Sequence, residues 1–350
     1  MNDYIPVQIS SRPAGLANQL KEVEYLLADY VRAPYCVAVE SAQISLEFAL
    51  RATGVQEGDR VLCAALGCNA AVQQIRRLGA VPVFVDIDPI SFNLDALSLE
   101  QVIGKYQHAQ QTLPKVLVTM DLFGLPCNYV RIEQICEKYQ ITLIEDMTQA
   151  LGALAGGRRC GSFGRFAVGN VLEHENLCEN GVIFCHAPSD YLQLLELREV
   201  WQHCFGGYGG AHAVCAQAIL LRECFKEMEE MLQKRYAVAM RYRSHLQGHV
   251  RLQSAEEGAR SAHHRVAVAL PSATTRARTE RLLKSCMQYG IYCPQPLHLP
   301  TPASSRAGEE LPLVHAPCIA QNLLSLPLHP YINHSAVDRV SRLLLEVLAG

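Results

Sequence analysis

Lysine is scarce in this chain of 350 residues. It occurs seven times, at Lys21, Lys105, Lys115, Lys138, Lys226, Lys234 and Lys284. None of these falls in the stretch from Gly161 to Gly181. Lysine carries the side-chain primary amine that forms imines with aldehydes, and neither a carboxylate nor an imidazole replaces it in that role. The stretch therefore has no side chain for covalent chemistry of that kind.

The sequence also lacks the spacing of a metal centre. Fourteen cysteines are spread singly along the chain, mostly within apolar runs, and no C-x-x-C pair occurs. Such cysteines are typical of small buried hydrophobic side chains in a reducing compartment. The thirteen histidines are dispersed too, and adjacent residues such as His263 and His264 rarely face one metal. We predict no metal site.

Charge and hydropathy argue against two further classes of partner. A net charge of −3 gives no electrostatic attraction to nucleic acid or to an anionic membrane surface. The sequence shows no apolar run of about eighteen residues or more and no basic-then-apolar leader at Met1. These features predict a cytoplasmic protein that binds neither nucleic acid nor membrane.

Short apolar runs alternate with helical patterns in the first half of the chain. The runs predict strands at Tyr35–Val39, Val61–Ala64, Val81–Val85, Val116–Val118 and Ile141–Ile144. The spacing of apolar residues between them predicts helices at Ser41–Gly54, Ala70–Leu78 and Val130–Tyr139. This alternation favours an α/β fold whose mostly parallel sheet is covered on both faces. Ligands of such sheets bind at the carboxyl ends of the strands.

The second half of the chain is mainly helical. It contains a long amphipathic stretch at Phe225–Leu246. Strand-like pieces and helices follow at Val250–Leu252, Val266–Leu270, Arg276–Tyr289 and Ser335–Leu348. Ser335 and Asp338 have the spacing of a capping box at the start of the last helix. We predict a large domain over residues 1–245 and a smaller C-terminal α/β domain over residues 246–350.

Five segments resemble motifs of one enzyme family, in the same order and with matching spacing. They are Gly54–Val61 (GVQEGDRV), Leu78–Asp88 (LGAVPVFVDID), Ile144–Gly152 (IEDMTQALG), Gly157–Gly164 (GRRCGSFG) and Leu324–Pro330 (LSLPLHP). Together they are similar to the DegT/DnrJ/StrS family of sugar aminotransferases, which use pyridoxal phosphate (PLP). The resemblance implies a fold-type I PLP-transferase. Such a protein has a three-layer, mostly parallel sheet with helices on both faces, and a smaller C-terminal α/β domain.

The resemblance also implies which residues would hold the cofactor ring. Asp146 matches the carboxylate that keeps the pyridinium nitrogen protonated, so that the ring works as an electron sink. Gln149 matches the residue beside the phenolic oxygen. Cys68 stands where the family stacks an aromatic side chain on the ring, and a thiol supplies little of that contact area.

The phosphate end of the implied site departs further from the family. The family's S-G-T segment, which cradles the phosphate at a helix N-terminus, reads Ser41, Ala42 and Gln43 here. The preceding Glu40 adds a negative charge near the position of a dianion, which is unfavourable. Asn170 replaces a serine that the family places on the strand ahead of its lysine.

The position of the Schiff-base lysine carries the largest departure. In the family, G-S-F-G is followed by T-K-N-L, whose lysine binds the cofactor. The same register here reads HENL from His174 to Leu177, so His174 or Glu175 stands at the lysine position. Further along, the family's G-E-G-G turn is replaced by Glu179-Asn180-Gly181-Val182. An asparagine that the family contributes from the neighbouring subunit aligns with Gly210.

Three interpretations of function follow from this resemblance. The first is a catalytically degenerate homologue, retained as a binding protein or as a partner subunit of an intact paralogue. The second is a lysine-independent enzyme such as a sugar 3-dehydratase, with His174 as general base and Glu175 orienting it. The third is an aminotransferase of a nucleotide-linked keto-sugar that takes its lysine from elsewhere in the chain.

The interpretations differ in the cofactor that they require. PLP, or its amine form pyridoxamine phosphate (PMP), is expected for the second and third, and no cofactor is expected for a pseudoenzyme. The family implies a homodimer, or a heterodimer with an intact aminotransferase homologue, and a nucleotide-sugar as ligand. The implied setting is nucleotide-sugar, polysaccharide or secondary-metabolite biosynthesis.

Overall fold

The computed structural model describes residues 16–170, 180–205, 210–255, 258–271, 280, 283–285, 287–288 and 312–349. The first elements are α1 (Leu16–Val31), β1 (Tyr35–Val39), α2 (Ala42–Ala52), β2 (Arg60–Ala64), α3 (Asn69–Arg77), β3 (Val81–Val85), α4 (Ala96–His108), β4 (Val116–Met120), a 3-10 helix (Leu122–Gly124), α5 (Tyr129–Tyr139) and β5 (Thr142–Asp146). Then come β6 (Leu154–Ala155), β7 (Arg158–Arg159), β8 (Phe166–Gly169), β9 (Gly181–Cys185), α6 (Pro188–Phe205) and α7 (Gly210–Leu246). The last are β10 (Arg251–Leu252), β11 (Ala259–Arg260), β12 (Val266–Ala269), α8 (His315–Asn322), β13 (Leu323–Leu326) and α9 (His334–Ala349).

Seven strands form the central sheet, in the order β1-β9-β8-β5-β4-β2-β3. The pairs β2–β3, β2–β4, β4–β5 and β5–β8 are parallel, while β9 runs antiparallel to both β1 and β8. Strands β1, β2, β3 and β5 each have one partly exposed residue followed by four buried ones. This pattern is typical of strands covered on both faces. The predicted α/β class with a mostly parallel sheet is confirmed.

Short polar side chains fix where the surrounding helices begin. The side chains of Ser41, Asp95 and Asn128 accept hydrogen bonds from backbone N–H groups in the first turns of α2, α4 and α5. These bonds satisfy N–H groups that have no partner within the helix. Gln140 ends α5 in the left-handed conformation, with φ of 55°.

A second hydrophobic core lies in the C-terminal part of the chain. It joins Val238, Tyr242 and Leu246 of α7 to buried residues of β12, β13 and α9. Earlier in α7, Met228 and Leu232 pack in the core around the large sheet. Helix α7 therefore belongs to both cores, and the division of the chain after residue 245 stays a prediction.

The start of the last helix differs from the predicted capping box. The N–H of Ser335 donates to the side chain of Asn333, at 2.9 Å. Asp338 instead accepts hydrogen bonds from Arg241 and His245 of α7. The prediction of a capping box was wrong because this carboxylate joins two helices. The predicted helix at residues 276–289 lies mostly outside the described residues.

The described helices also bear on membrane association. None of those within the ranges given above has both the length and the apolarity needed to span a bilayer.

Candidate cofactor site

Asp146 is the last residue of β5, in the middle of the central sheet, and its side chain is buried. Its Oδ1 accepts hydrogen bonds from the backbone N–H of Thr148 at 3.1 Å and from the Thr148 hydroxyl at 2.7 Å. Oδ2 receives no hydrogen bond from the described residues. Burial raises the pKa of Asp146, and the two bonds from Thr148 act in the opposite direction. One oxygen of this carboxylate is therefore free to accept a bond from a ligand.

Gln149 lies three residues beyond Asp146 and is half-buried. Its Oε1 accepts a hydrogen bond from the backbone N–H of Phe123, at 2.7 Å. Phe123 has a left-handed backbone with φ of 59°, an uncommon conformation for a residue with a large side chain. The Gln149 side chain is thus fixed by this loop, and its Nε2 remains as a donor for a ligand.

Cys68 lies at the N-terminal end of α3, with 1% of its surface exposed. Burial raises the pKa of its thiol to about 12, and the charge of Asp146 contributes to that rise. The structure therefore brings Cys68 and Asp146 into electrostatic contact. The thiol is protonated at neutral pH, so it is not a nucleophile.

Ser41 and Ala42 form the turn that opens α2. The Ser41 hydroxyl oxygen accepts a hydrogen bond from the N–H of Ile44, at 3.3 Å. A Cβ atom added to Gly181 would collide with the carbonyl oxygen of Ser41. The first residue of β9 therefore lies directly beside this helix N-terminus.

Glu40 precedes this turn and changes its electrostatics. The residue is half-buried, and its Oε2 is buried with no hydrogen-bond partner among the described residues. A helix N-terminus attracts anions through its free N–H groups and the helix dipole. A neighbouring carboxylate opposes that attraction, and the opposition is strongest for a phosphate dianion.

The remaining predicted positions are placed only in part. Asn170 directly follows β8, which pairs in parallel with β5, so it lies at the same edge of the sheet as Asp146. His174, Glu175 and Glu179 lie outside the described residues. Gly210 is the first residue of α7. The roles given to these residues stay predictions.

These contacts suit one part of PLP and not the other. The free oxygen of Asp146 and the amide of Gln149 suit a protonated pyridine ring with an adjacent phenolic oxygen. The buried, unpartnered oxygen of Glu40 does not suit a phosphate dianion at the start of α2. The residues therefore fit the ring of the cofactor but not its phosphate.

Sequence reasoning missed a buried acidic cluster next to this site. Atoms of Asp121, Glu145 and Cys160 lie within 4.8 Å of one another, and all three residues are buried. The two oxygens of Glu145 accept hydrogen bonds from the N–H groups of Gly161, at 2.8 Å, and Phe163, at 2.9 Å. These bonds anchor the G-S-F-G turn to β5, so the glutamate of the I-E-D motif has a structural role.

Asp121 faces Glu145 from the residue after β4. Its Oδ1 accepts bonds from the N–H of Cys127 and the hydroxyl of Tyr129, both at 2.8 Å. Its Oδ2 is buried without a hydrogen-bond partner among the described residues. Burial raises the pKa of Asp121 to about 6 and also raises that of Glu145. Two carboxylates buried this close together oppose each other's ionisation, so we expect the pair to hold one proton between them.

This cluster is the one group in the described part of the chain with ligand atoms close enough for a metal ion. Three of its four carboxylate oxygens already accept hydrogen bonds from N–H or O–H donors. The donor set therefore suits a shared proton better than a cation, and the expectation of no metal site stays a prediction.

Comparison with known proteins identifies the fold and the family. The sequence profile of the DegT/DnrJ/EryC1/StrS aminotransferase family matches residues 12–188 and 196–345. A DegT/DnrJ/EryC1/StrS aminotransferase from Brucella abortus has a similar structure, with a TM-score of 0.80 and 25% identity over 94% of this chain and 90% of that one. The predicted PLP-transferase fold is confirmed.

Two curated relatives align over most of their length. A pleiotropic regulatory protein of Geobacillus stearothermophilus is 26% identical over 95% of this chain and 90% of its own. The UDP-2-acetamido-2-deoxy-3-oxo-D-glucuronate aminotransferase of Pseudomonas aeruginosa is 28% identical over 92% of this chain and 89% of its own. The profile match, the shared fold and these relatives agree. The chain belongs to the DegT/DnrJ/EryC1/StrS family of PLP-dependent sugar aminotransferases.

Proposed function

We propose that this chain is a catalytically degenerate sugar-aminotransferase homologue that acts in the cytoplasm as a binding or partner subunit. The pathway class is nucleotide-sugar, polysaccharide or secondary-metabolite biosynthesis. One observation carries the proposal: the segment from Gly161 to Gly181, which precedes and includes the start of β9, contains no lysine. His174 and Glu175 stand in the register of the family's Schiff-base lysine, and neither forms an imine.

The described lysines support this reading by their positions. Lys115 lies at the amino end of β4, where its carbonyl accepts a bond from Thr142 at the start of β5. Asp146 ends β5, so Lys115 is at the opposite edge of the sheet. Lys138 lies on α5, is 61% exposed and pairs with Glu100. The others with described side chains are Lys21 on α1, Lys105 on α4, Lys234 on α7 and Lys284.

The phosphate end of the site supports the same conclusion. A cofactor held without a covalent bond depends more strongly on its phosphate contacts. Here Glu40, whose Oε2 is buried without a hydrogen-bond partner among the described residues, directly precedes Ser41, the N-cap residue of α2. An anion at that position therefore meets repulsion as well as the attraction of the helix.

The proposed role involves a second subunit. A homodimer, or a heterodimer with a lysine-bearing homologue, would let a chain without catalysis still complete a site on its partner. A nucleotide-sugar is the ligand class suggested by the relative from Pseudomonas aeruginosa, whose name specifies a UDP-sugar. The relative named as a pleiotropic regulatory protein is consistent with a non-catalytic role for this fold.

Absorbance spectroscopy with PLP tests the proposal directly. Purified protein is mixed with PLP, treated with borohydride and digested for peptide mapping. We expect no imine band in the near-ultraviolet and visible range and no labelled lysine peptide. A reduced, labelled lysine would overturn the proposal and restore an ordinary keto-sugar aminotransferase. If no lysine is labelled, co-purification with a lysine-bearing homologue would identify the partner.

A second candidate function rests on the ring end of the site. The free Oδ2 of Asp146 and the Nε2 of Gln149 would serve a cofactor bound without an imine, as in a sugar 3-dehydratase that uses PMP. His174 would then be the general base. A PMP spectrum and a raised melting temperature, both lost in His174→Ala but not in His203→Ala, would favour this enzyme. No response to either cofactor form favours the binding role.

A further inference from the structure

A cavity of about 280 Å³ lies between α7 and the strands β10 and β12. One wall is a face of α7 that includes Tyr236 and Arg243, and the others come from residues near β10, β11 and β12. None of the residues matched to the cofactor site lines it. The volume is near the lower end of the range for small-molecule sites, which begins at about 300 Å³.

The charged side chains among the described lining residues of this cavity are all arginines. Arg243, Arg260 and Arg265 line it, and no aspartate or glutamate is among its described lining residues. Arg265 has no hydrogen bond or ion pair through its side chain within the described residues. Arg243 donates one bond, from Nη2 to the carbonyl of Gln253 at 2.7 Å, which fixes its guanidinium. The cavity therefore presents guanidinium groups that still have donors to offer.

Arg260 lies near a carboxylate. Its Nη2 lies 4.0 Å from a carboxylate oxygen of Glu229, and its side chain is 52% exposed. Glu229 also accepts bonds from Arg159, at 3.1 Å, and from the hydroxyl of Tyr30, at 2.8 Å. Because this carboxylate is shared between several donors, it only partly neutralises Arg260.

Two rings complete the wall of the cavity. Tyr236 is 52% exposed, and its ring centroid lies 5.8 Å from that of His263. Burial, with a smaller contribution from the charge of Arg243, lowers the pKa of His263 to about 4. The imidazole is therefore neutral at pH 7 and adds a hydrogen-bonding group without adding charge. An exposed tyrosine ring beside arginines offers a flat apolar face next to anion donors.

We propose that this cavity binds a small phosphate ester that carries one planar ring, of the size of a nucleoside monophosphate. Guanidinium groups recognise phosphate oxygens through paired N–H donors, so Arg243 and Arg265 hold the phosphate. The ring of the ligand packs on Tyr236. This site is separate from the edge of the sheet at Asp146, and the inference does not depend on loss of the lysine.

Calorimetry with AMP, inorganic phosphate and adenosine tests the site on the full chain without PLP. We expect AMP to bind more tightly than either fragment. The double variant Arg243→Gln/Arg265→Gln should weaken AMP binding at least tenfold. The matched control is Arg251→Gln, an exposed arginine of β10 that does not line the cavity, and it should bind as the unmodified chain does.

Several results would overturn the proposal. Equal AMP affinity in the double variant and the unmodified chain would do so, as would no detectable binding at millimolar AMP. Loss of AMP binding in Asp146→Asn would place the ligand at the sheet edge instead. If the glutamine variant fails to fold, Arg243→Lys/Arg265→Lys keeps both charges, and the proposal then requires intermediate affinity, since lysine lacks the paired donors.

Discussion

The two ends of the candidate cofactor site differ in how they are built. At the ring end, Asp146 and Gln149 keep free polar atoms, and each is positioned by bonds to a neighbouring loop or turn. At the phosphate end, Ser41 still caps α2, but Glu40 contributes a buried oxygen without a partner. The ring end therefore suits the pyridine ring of PLP, and the phosphate end does not suit its phosphate.

The difference shows that ring recognition and phosphate recognition respond differently to a change in a nearby side chain. A strand end that aims one carboxylate at a ring nitrogen depends on a single side chain and its support. An anion site at a helix N-terminus depends on the summed field of several N–H groups, and one nearby carboxylate changes that field. The phosphate end can therefore be altered without any change in the fold.

The largest effect on PLP binding should come from placing a lysine in the segment from Gly161 to Gly181. In Glu175→Lys, Asp146 can still contact the pyridine nitrogen of PLP, and the new lysine provides the amine that the unmodified segment lacks. We expect PLP to give an imine absorbance band that survives desalting, where the unmodified chain gives none. Spectra before and after gel filtration measure it.

A matched variant checks that this result depends on position. Glu179→Lys adds the same amine to the same segment at a different register, and we expect no stable band. A band of equal strength in both variants would show non-specific imine formation instead of a retained ring site.

Removing the charge at the phosphate end should have the next largest effect. Glu40→Gln keeps the size of the side chain and removes its repulsion of a dianion. In the Glu175→Lys background, we expect affinity for PLP to rise about tenfold, with little change for pyridoxal, which has no phosphate. Titration of the imine band with each aldehyde gives both affinities. An equal gain for both would mean that Glu40 acts on the ring and not on the phosphate.

The smallest effect concerns stability and the pair Asp121 and Glu145. Because the folded-state pKa of Asp121 is raised to about 6, its contribution to stability is complete below its ordinary pKa near 3.8 and is lost as the pH rises through 6. Asp121→Asn removes this dependence. We expect it to raise the melting temperature by a few degrees at pH 7, with the gain shrinking toward pH 4.

The control for this prediction is Asp29→Asn, an exposed aspartate of α1. It should shift the melting temperature by the same small amount at every pH. If Asp121→Asn instead lowers the melting temperature most at pH 7, the pair is not sharing a proton.

Much of the central sheet could be predicted from the sequence. The apolar runs that form β1 to β5 lie within two residues of the observed strands at either end, because buried parallel strands are almost continuously apolar. Strands β6, β7 and β11 contain two residues each, too few to show any periodicity. Strand β9 runs antiparallel between β8 and β1, and that placement depends on tertiary pairing.

The site could be predicted only where one segment carried the signal. Asp146 was recognisable as a carboxylate at a strand end within a family motif, and it occupies that position. The proximity of Asp121 to Glu145 could not be predicted from the sequence. It depends on the parallel register that pairs Met120 of β4 with Asp146 of β5, which no local pattern specifies.

The left-handed Phe123 has a further consequence for the molecule. Its N–H is held by the side chain of Gln149, and its carbonyl accepts bonds from the N–H groups of His264 and Arg265. This one peptide segment thus contacts both the ring end of the candidate cofactor site and the residues that border the cavity lined by Arg243, Arg260 and Arg265. If a ligand at one place changes the affinity of the other through this segment, a ligand at the second place must change the affinity of the first by the same factor, because linkage is reciprocal.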